Sequence, residues 1–456
     1  MRRDVAHFAS LCKGRYDGPP LAYDAVCSDT RSLQPGQLYL ALRGPRFDGN
    51  EFVAQAAAAG AVAAVVDRPG LQADLPLVRV DDVQQALQQA AAGWRAQYAG
   101  TVVAVAGSNG KTTSKEMTAA ILARSGRCLA TRGNLNNHIG VPLTLLRLQA
   151  DDRYAVIELG ANRAGDVAAL AALARPRIGL VTNAGAEHLE GFGDLEGVAR
   201  AEGELFAALP ADGIAVVNAD DPYAVLWRGM TRASVTTFGL SAAADFHATD
   251  VVEALGAQGF AQRFTLHTPL GCLPVQLNLG GRHNVRNALG AAAAAVSAGA
   301  DLQQVADGLA ALQPVQGRLQ PRASHHGAVL IDDTYNANPD SVRAGIDVVT
   351  GLGGEAWLVL ADMGELGDHA QGSHADVGHY ARRAGITRLY ASGPLSQLAV
   401  EAFGPGATWY PDVLAMGKAV DHALHAGVQV LVKGSRFNRL ERVVGLLTGT
   451  ATAPEH

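Results

Sequence analysis

Short apolar runs recur along this chain at near-regular intervals, separated by stretches whose apolar positions repeat every three or four residues. "TVVAVAG" (101–107), "YAVIELG" (154–160), "IGLVTNAG" (178–185) and "GIAVVNADD" (213–221) are the clearest runs. Runs of this length alternating with helical periods predict parallel strands crossed over by helices. The first 80 residues hold shorter strand-like pieces, "QLYLAL", "AVAAVVD" and "LPLVRV", around the alanine-rich helix "EFVAQAAAAGA". A helical stretch, "VQQALQQAAAGWRAQY", leads into the strand at 101. Residues 245–280 alternate polar with apolar and predict an antiparallel meander. "LQPVQGRLQP" (312–321) reads as a linker. After it the alternation resumes with "AVLIDD", "AWLVLAD", "TRLYASG" and "VQVLVKGS". The pattern predicts an α/β protein of three domains, at 1–83, 84–315 and 316–456.

At 456 residues the chain is too long for a single core. Its 18% charged and 48% hydrophobic residues fit a globular protein, neither disordered nor membrane-embedded. A formal charge of -6 argues against a nucleic-acid partner. Cys12, Cys27, Cys128 and Cys272 lie far apart with no CxxC pair, as expected of reduced thiols. The start lacks the apolar run of a signal peptide, and "ALGAAAAAVSAGA" (288–300) is too short to span a bilayer. The expectation is a cytoplasmic monomer without membrane insertion.

The strand at 101 runs into Gly107-Ser108-Asn109-Gly110-Lys111-Thr112-Thr113 and then a helical pattern. Glycines let backbone N–H groups point inward, and the following helix adds its positive end, so the segment predicts a phosphate cradle. In such a cradle Lys111 reaches the β- and γ-phosphates of ATP, and the Thr112 hydroxyl is placed to ligate Mg²⁺. The usual spacing, G-x-x-x-x-G-K-[ST], puts a glycine where this chain has Val105. An ordinary glycine-rich turn is the plain alternative.

This variant loop resembles that of the ATP-dependent Mur ligases of peptidoglycan synthesis, whose form is G-[ST]-N-G-K-[ST]-[ST]. Further stretches are similar to the family in the same order: "TRGNLNNHIGVPLTLL" (131–146), "TNAGAEHLEGFG" (182–193), "VVNADD" (216–221), "GRHNVRNALGAAA" (281–293) and "LVKGSR" (431–436). "DDTYNANPDS" (332–341), "LADMGELGDHAQGSH" (360–374) and "SDTRSLQPGQLYLALRGPRFDGNEFV" (28–53) resemble the member that joins D-alanyl-D-alanine to a UDP-N-acetylmuramoyl-tripeptide. The DYAHTP-type and DNPR stretches of the sibling that adds the third residue are not found. The resemblance implies a small N-terminal α/β domain, a central P-loop ATPase-type sheet and a Rossmann-like C-terminal domain. It also implies ATP, two Mg²⁺ ions and an acyl-phosphate intermediate.

The site residues follow by the same resemblance. Glu158, ending its strand, suits Mg²⁺ shared with Thr112, though a solvated strand-end acid looks the same. His188 resembles the ligand of a second Mg²⁺. Fourteen residues on, the family carries a lysine modified to a carbamate, and this chain has Glu202. Glutamate keeps the negative charge on a shorter stem, so Glu202 is expected at the second metal, with a solvated helix residue as the alternative. Asn284 and Asn287, spaced i, i+3 and so on one helix face, suit the adenine. Arg318 is expected at the ATP phosphates and Asp333 at the ribose, with Asp332 as rival. Tyr335, Asn336 and Asn338 follow on a strand-end loop, where parallel sheets place ligands, and Lys433 and Arg436 are expected near the dipeptide or phosphate. Ser28, Asp29 and Arg31 resemble the UDP-holding region, where Asn50 replaces a usual histidine. Asn134, Asn136 and Asn137 form an amide cluster expected to line the channel for the UDP-linked peptide. The competing readings are a sibling ligase, a folylpolyglutamate-type synthase, and a non-enzymatic ATP-binding switch.

Overall fold

The structure, a computed structural model, describes residues 3–256 and 259–450. Three mainly parallel sheets follow one another along the chain. The first is small, with strands β1 (Val26–Cys27), β2 (Leu38–Leu40), β3 (Ala63–Val66) and β4 (Leu77–Arg79) side by side in that order. Helix α1 (Val83–Ala96) follows, started by the Asp82 side chain, which accepts the Gln85 N–H.

The central sheet holds β5 (Thr101–Ala106), β6 (Cys128–Ala130), β7 (Tyr154–Glu158), β8 (Ile178–Val181), β9 (Ile214–Asn218) and β10 (Ser234–Phe238), in the order β10-β9-β8-β5-β7-β6. β5 lies between β7 on one side and β8 on the other, both parallel to it. Strand order reverses at β5, so its carboxyl end opens into the crevice where folds of this kind bind ligands. Helices α2 (Lys111–Leu122) and α3 (Leu195–Ala207) belong to this body. The expected meander is present as β11 (His247–Gly256), β12 (Gly259–Thr268) and β13 (Gly271–Leu277). Helices α4 (Arg282–Ser297) and α5 (Leu302–Ala311) complete it.

The last sheet runs β14-β15-β19-β16-β17-β18, from β14 (Gln320–Ala323), β15 (Val329–Asp333), β16 (Glu355–Ala361), β17 (Arg388–Ser392), β18 (Ala407–Tyr410) and β19 (Val428–Lys433). Only β14 is antiparallel. Helix α6 (Pro339–Gly351) follows β15, and α7 (Val413–Ala423) and α8 (Glu441–Thr448) cover the opposite side. β14 takes up Gln320 and Pro321, the end of the stretch read as linker; proline is tolerated because β14 is an edge strand.

One apolar core joins the first sheet to the central one. Leu38, Leu40, Val65 and Val78 pack through α1 residues Leu87, Ala90 and Trp94 against Val102, Ala104 and Ile157. A second core fills the other face of the central sheet, with the alanine-rich α4 pressed against Val103, Val105 and Leu180. The last sheet has its own cores on its two faces; from the meander, Phe260 joins one and Leu255 packs on it.

Trp94 is fully buried and its indole N–H donates to the Leu148 carbonyl at 3.0 Å. Trp94→Ala should therefore cost about 3–5 kcal/mol, from the cavity and the stranded carbonyl together. A chemical-denaturation midpoint measures it, and a shift under about 1 kcal/mol would contradict the shared core.

Candidate active site

β5 ends at Ala106, and the chain turns through Gly107 to Gly110 before α2 begins at Lys111. Two glycines make this turn possible. Gly107 has φ +117°, and a Cβ there would stand 2.2 Å from the Thr182 hydroxyl; Gly110 has φ +83°, and a Cβ would stand 2.4 Å from Asn287 Oδ1. Both conformations and both clearances exclude larger residues. The loop is held by neighbours: Ser108 Oγ accepts the Gly185 N–H at 2.8 Å, and Asn183 exchanges two bonds with the Asn109 backbone.

Lys111 is half-buried at the start of α2, where it donates to the Ser108 carbonyl at 2.9 Å and to Glu187 at 3.0 Å. Burial pulls its pKa down, but the carboxylates of Glu187, Glu202 and Glu158 outweigh that and hold it above the ordinary lysine value. The Thr112 hydroxyl donates to Glu158 Oε1 at 3.2 Å and accepts from Arg318 at 3.0 Å. Asn136 donates to the same Glu158 oxygen at 2.9 Å. Glu158 Oε2 is buried and without a hydrogen-bond partner. An orphaned carboxylate oxygen beside a threonine hydroxyl is a donor set that fits a hard divalent cation such as Mg²⁺.

His188 sits just across the cleft with a left-handed backbone, φ +49°. Its Nδ1 lies 3.0 Å from Glu365, a residue beyond β16. Their mutual bond raises the histidine's pKa and lowers the carboxylate's. Glu202, expected at the second metal, lies close enough to Lys111 and His188 to feel both charges. It is 1% exposed behind the loop, and its Oε2 accepts the Gly107 N–H at 2.6 Å. Burial pushes its carboxyl up to about 7. In this position it anchors the loop and adds to the field around Lys111.

The cleft, about 620 Å³, is closed from the other side by the last sheet. Parallel register sets Asp333 beside Lys433, and the two pair at 2.5 Å; Lys433 also donates to the Asn336 carbonyl. Asp333 lines the cleft. Asp332, its rival, points to the opposite face of the strand and accepts from Thr334. Arg318 stacks 4.3 Å over the Tyr335 ring, with Arg436 6.0 Å from the same ring. Asn338 starts α6 and also donates to Asn109 Oδ1 at 2.8 Å, so it bridges the two bodies. Asn284 and Asn287 share a face of α4 as their spacing requires, bonded to each other at 3.0 Å. Thr113, Asn134 and Asn336 also line the cleft.

Several expected residues lie apart. Asn137 does not line the cleft: its side chain accepts the Ile139 and Gly140 N–H groups and so starts a helix. An Asx turn leading into a helix demands the same amide chemistry as a ligand channel, so the sequence pattern does not separate them. Ser28, Asp29 and Arg31 lie beyond β1, away from the cleft, with Arg31 forked onto Asp29. Asn50 is buried in a network with Asp48 and Asp67. Three partners were not foreseen. Glu187 pairs with Lys111, Glu365 with His188, and His283 lies half-buried in the cleft wall with its pKa pushed down to about 4 by desolvation. All three stand inside the quoted stretches, Glu187 and His283 beside His188 and Asn284, and Glu365 at 360–374.

Glu202 makes stability depend on pH in a definite direction. Its folded pKa lies above the ordinary 4.5, so the folded state holds this proton more tightly than the unfolded chain. Stability from this group is present below about 4.5 and lost as pH rises towards about 7. Glu202→Gln should remove that loss, so its thermal midpoint should gain on the native chain between pH 5 and 7.5. Parallel pH profiles for the two proteins would contradict the assignment.

Comparison with known proteins was consistent along the whole chain. Residues 105–295 match the Mur ligase middle domain, 317–436 the Mur ligase glutamate ligase domain, and 22–95 the Mur ligase family catalytic domain. The UDP-N-acetylmuramoyl-tripeptide–D-alanyl-D-alanine ligase of Escherichia coli is 44% identical, covering 98% of this chain and 99% of its own. The ligase of the same name from Bacillus subtilis is 33% identical over 97% and 98%. Among solved structures, MurF from Acinetobacter baumannii is similar at TM-score 0.91 and 33% identity, covering 99% of each chain. MurF ligase from Thermotoga maritima in complex with ADP follows at TM-score 0.82 and 26% identity, over 93% and 97%.

Proposed function

The chain belongs to the Mur ligase family, and we propose from that premise that it joins D-alanyl-D-alanine to a UDP-N-acetylmuramoyl-tripeptide, using ATP, in peptidoglycan precursor synthesis. The observation that carries this reading is the orphaned Glu158 oxygen beside Thr112 and the Lys111 loop, in a chain similar over its full length to ligases of that name. The sibling ligase and a folylpolyglutamate synthase are similar at only 20% and 17% identity, a likeness of fold. A non-catalytic switch gives His188 and the amides of Asn134 and Asn136, which line the cleft, no task.

A carboxylate does not condense with an amine at neutral pH until its oxygen becomes a leaving group. The tripeptide carboxylate attacks the γ-phosphorus of ATP, ADP departs, and an acyl phosphate forms. The amine of D-alanyl-D-alanine then adds to the acyl carbon. Phosphate leaves as the amide forms and the nitrogen sheds a proton. Protein assistance to such steps is chiefly positioning and neutralisation of charge. Mg²⁺ supplies part of that neutralisation, with Thr112 and Glu158 as holders of one ion and His188 of a second. Lys111 faces the transferred phosphoryl group, in exchange for its pairing with Glu187. Arg318, held flat on Tyr335, offers its guanidinium to the same phosphates. Asn284 and Asn287 suit the adenine edge, Asp333 the ribose, and Asn134 and Asn136 the UDP-linked peptide. Lys433, Tyr335, Asn336 and Asn338 supply the wall facing the incoming dipeptide, with Arg436 behind it near the Tyr335 ring.

Among the described residues no helix is long and apolar enough to cross a membrane. The reading is of a cytoplasmic enzyme acting as a monomer.

Phosphate release should require ATP, Mg²⁺, UDP-tripeptide and D-alanyl-D-alanine together, and Glu158→Gln should lower kcat by on the order of a hundredfold. Equal phosphate release without either acceptor substrate would refute the ligase. Because Glu202 stands where the family carries a modified lysine, no carbamate can form there. Turnover should survive exhaustive removal of dissolved CO₂; loss reversed by bicarbonate would contradict activity without a carbamate.

A further inference from the structure

On the side of the last sheet covered by α7 and α8, three side chains with no part in the cleft converge. His325 and His326 occupy the turn between β14 and β15, and Asp421 lies near the end of α7. Both imidazole Nε2 atoms point at one oxygen of Asp421, from 2.9 Å and 3.2 Å. All three donor atoms lie within 4.8 Å of one another, and the rings stand 4.3 Å apart. Adjacent residues in a chain seldom aim the same ring atom at one point, and here the turn enforces it. Ser324 Oγ accepts the N–H of Ala328 at 2.9 Å and of His326 at 3.3 Å, and the Ser324 N–H donates to the Ala328 carbonyl. The His325 N–H is tied to the Leu447 carbonyl of α8. Asp421 is carried by a helix whose Met416 and Val420 are fully buried in the core. The frame is therefore fixed on both sides before any ligand arrives.

We propose that His325, His326 and Asp421 form a binding site for a divalent transition-metal ion of the zinc type, joining the β14–β15 turn to α7. Two imidazoles with a single carboxylate suit Zn²⁺, Ni²⁺ or Cu²⁺, whereas Mg²⁺ favours sites dominated by oxygen donors. Partial exposure of the three residues leaves water access to the remaining coordination positions. The ion would replace two hydrogen bonds by coordinate bonds between segments nearly a hundred residues apart. Its effect is therefore on the stability of the last sheet.

The test uses the full-length protein saturated with Mg²⁺, titrated with Zn²⁺ at pH 7.5 against a chromophoric chelator. One Zn²⁺ equivalent should bind at least about tenfold more weakly to Asp421→Asn and be lost in the double variant His325→Ala/His326→Ala. Affinity should also fall at pH 5.5, where protons compete for the imidazoles. Zn²⁺ should raise the thermal midpoint of the native chain but not of the double variant. Phosphate release by both variants should stay at the native rate, which separates this site from the cleft. Zinc affinity that is the same in the native chain and in both variants overturns the proposal.

Discussion

Everything at the cleft depends on keeping a lysine charged while it is largely withdrawn from water. Lys111 must be buried to sit under a phosphate, and burial alone drives a lysine towards neutrality. Three carboxylates, from Glu187, Glu202 and Glu158, reverse that outcome. Each comes from a different segment: the loop after β8, helix α3 and the end of β7. The central sheet must therefore close with its register intact before the loop has its charge. Glu202 carries part of the cost, its carboxyl pushed up to about 7 by burial. An incoming triphosphate can then take over from the carboxylates as the partner of a cation already in place.

The phosphate loop was legible because its chemistry is local. Glycine, lysine and threonine at 107–113 announce a backbone conformation and a charge without reference to anything distant. Alternation of apolar runs likewise exposed the three-sheet α/β plan, since parallel strands must bury both faces. What the sequence pattern left open was direction and partnership. Asp332 and Asp333 are neighbours with the same chemistry, and only the pleat of β15 turns one into the cleft and the other away. Asn137 belongs to a cluster that reads as a ligand channel, yet a helix start uses it. Glu365 stands inside the quoted stretch at 360–374, yet no role could be read for it there, because its meaning comes from a histidine more than a hundred residues away. Glu202 was noticed for its charge, and its place behind the loop follows from the packing of α3.

Contacts across the cleft have a distinct character. Arg318 on Thr112, Asn338 on Asn109, Glu365 on His188 and the Ala186 N–H on Asp340 are all polar and all touch residues of the phosphate-binding region. A hydrogen bond between two protein groups and the same groups bonded to water differ by only about 1 kcal/mol. These contacts are thus easily exchanged for bonds to a nucleotide or its metal ions, and the residues that close the cleft are the ones a ligand would engage.

The unequal distribution of apolar cores fixes which part of the molecule is free to swing. Separating the first sheet from the central one would tear a continuous oily interface through Trp94 and Leu87. Lifting the last sheet off the cleft wets little beyond Phe260 and Leu255, and otherwise trades one set of polar partners for another. The molecule is in effect a two-part clasp, with a stiff jaw made of two fused sheets and a loose one hung on a small greasy pivot at the tip of the meander.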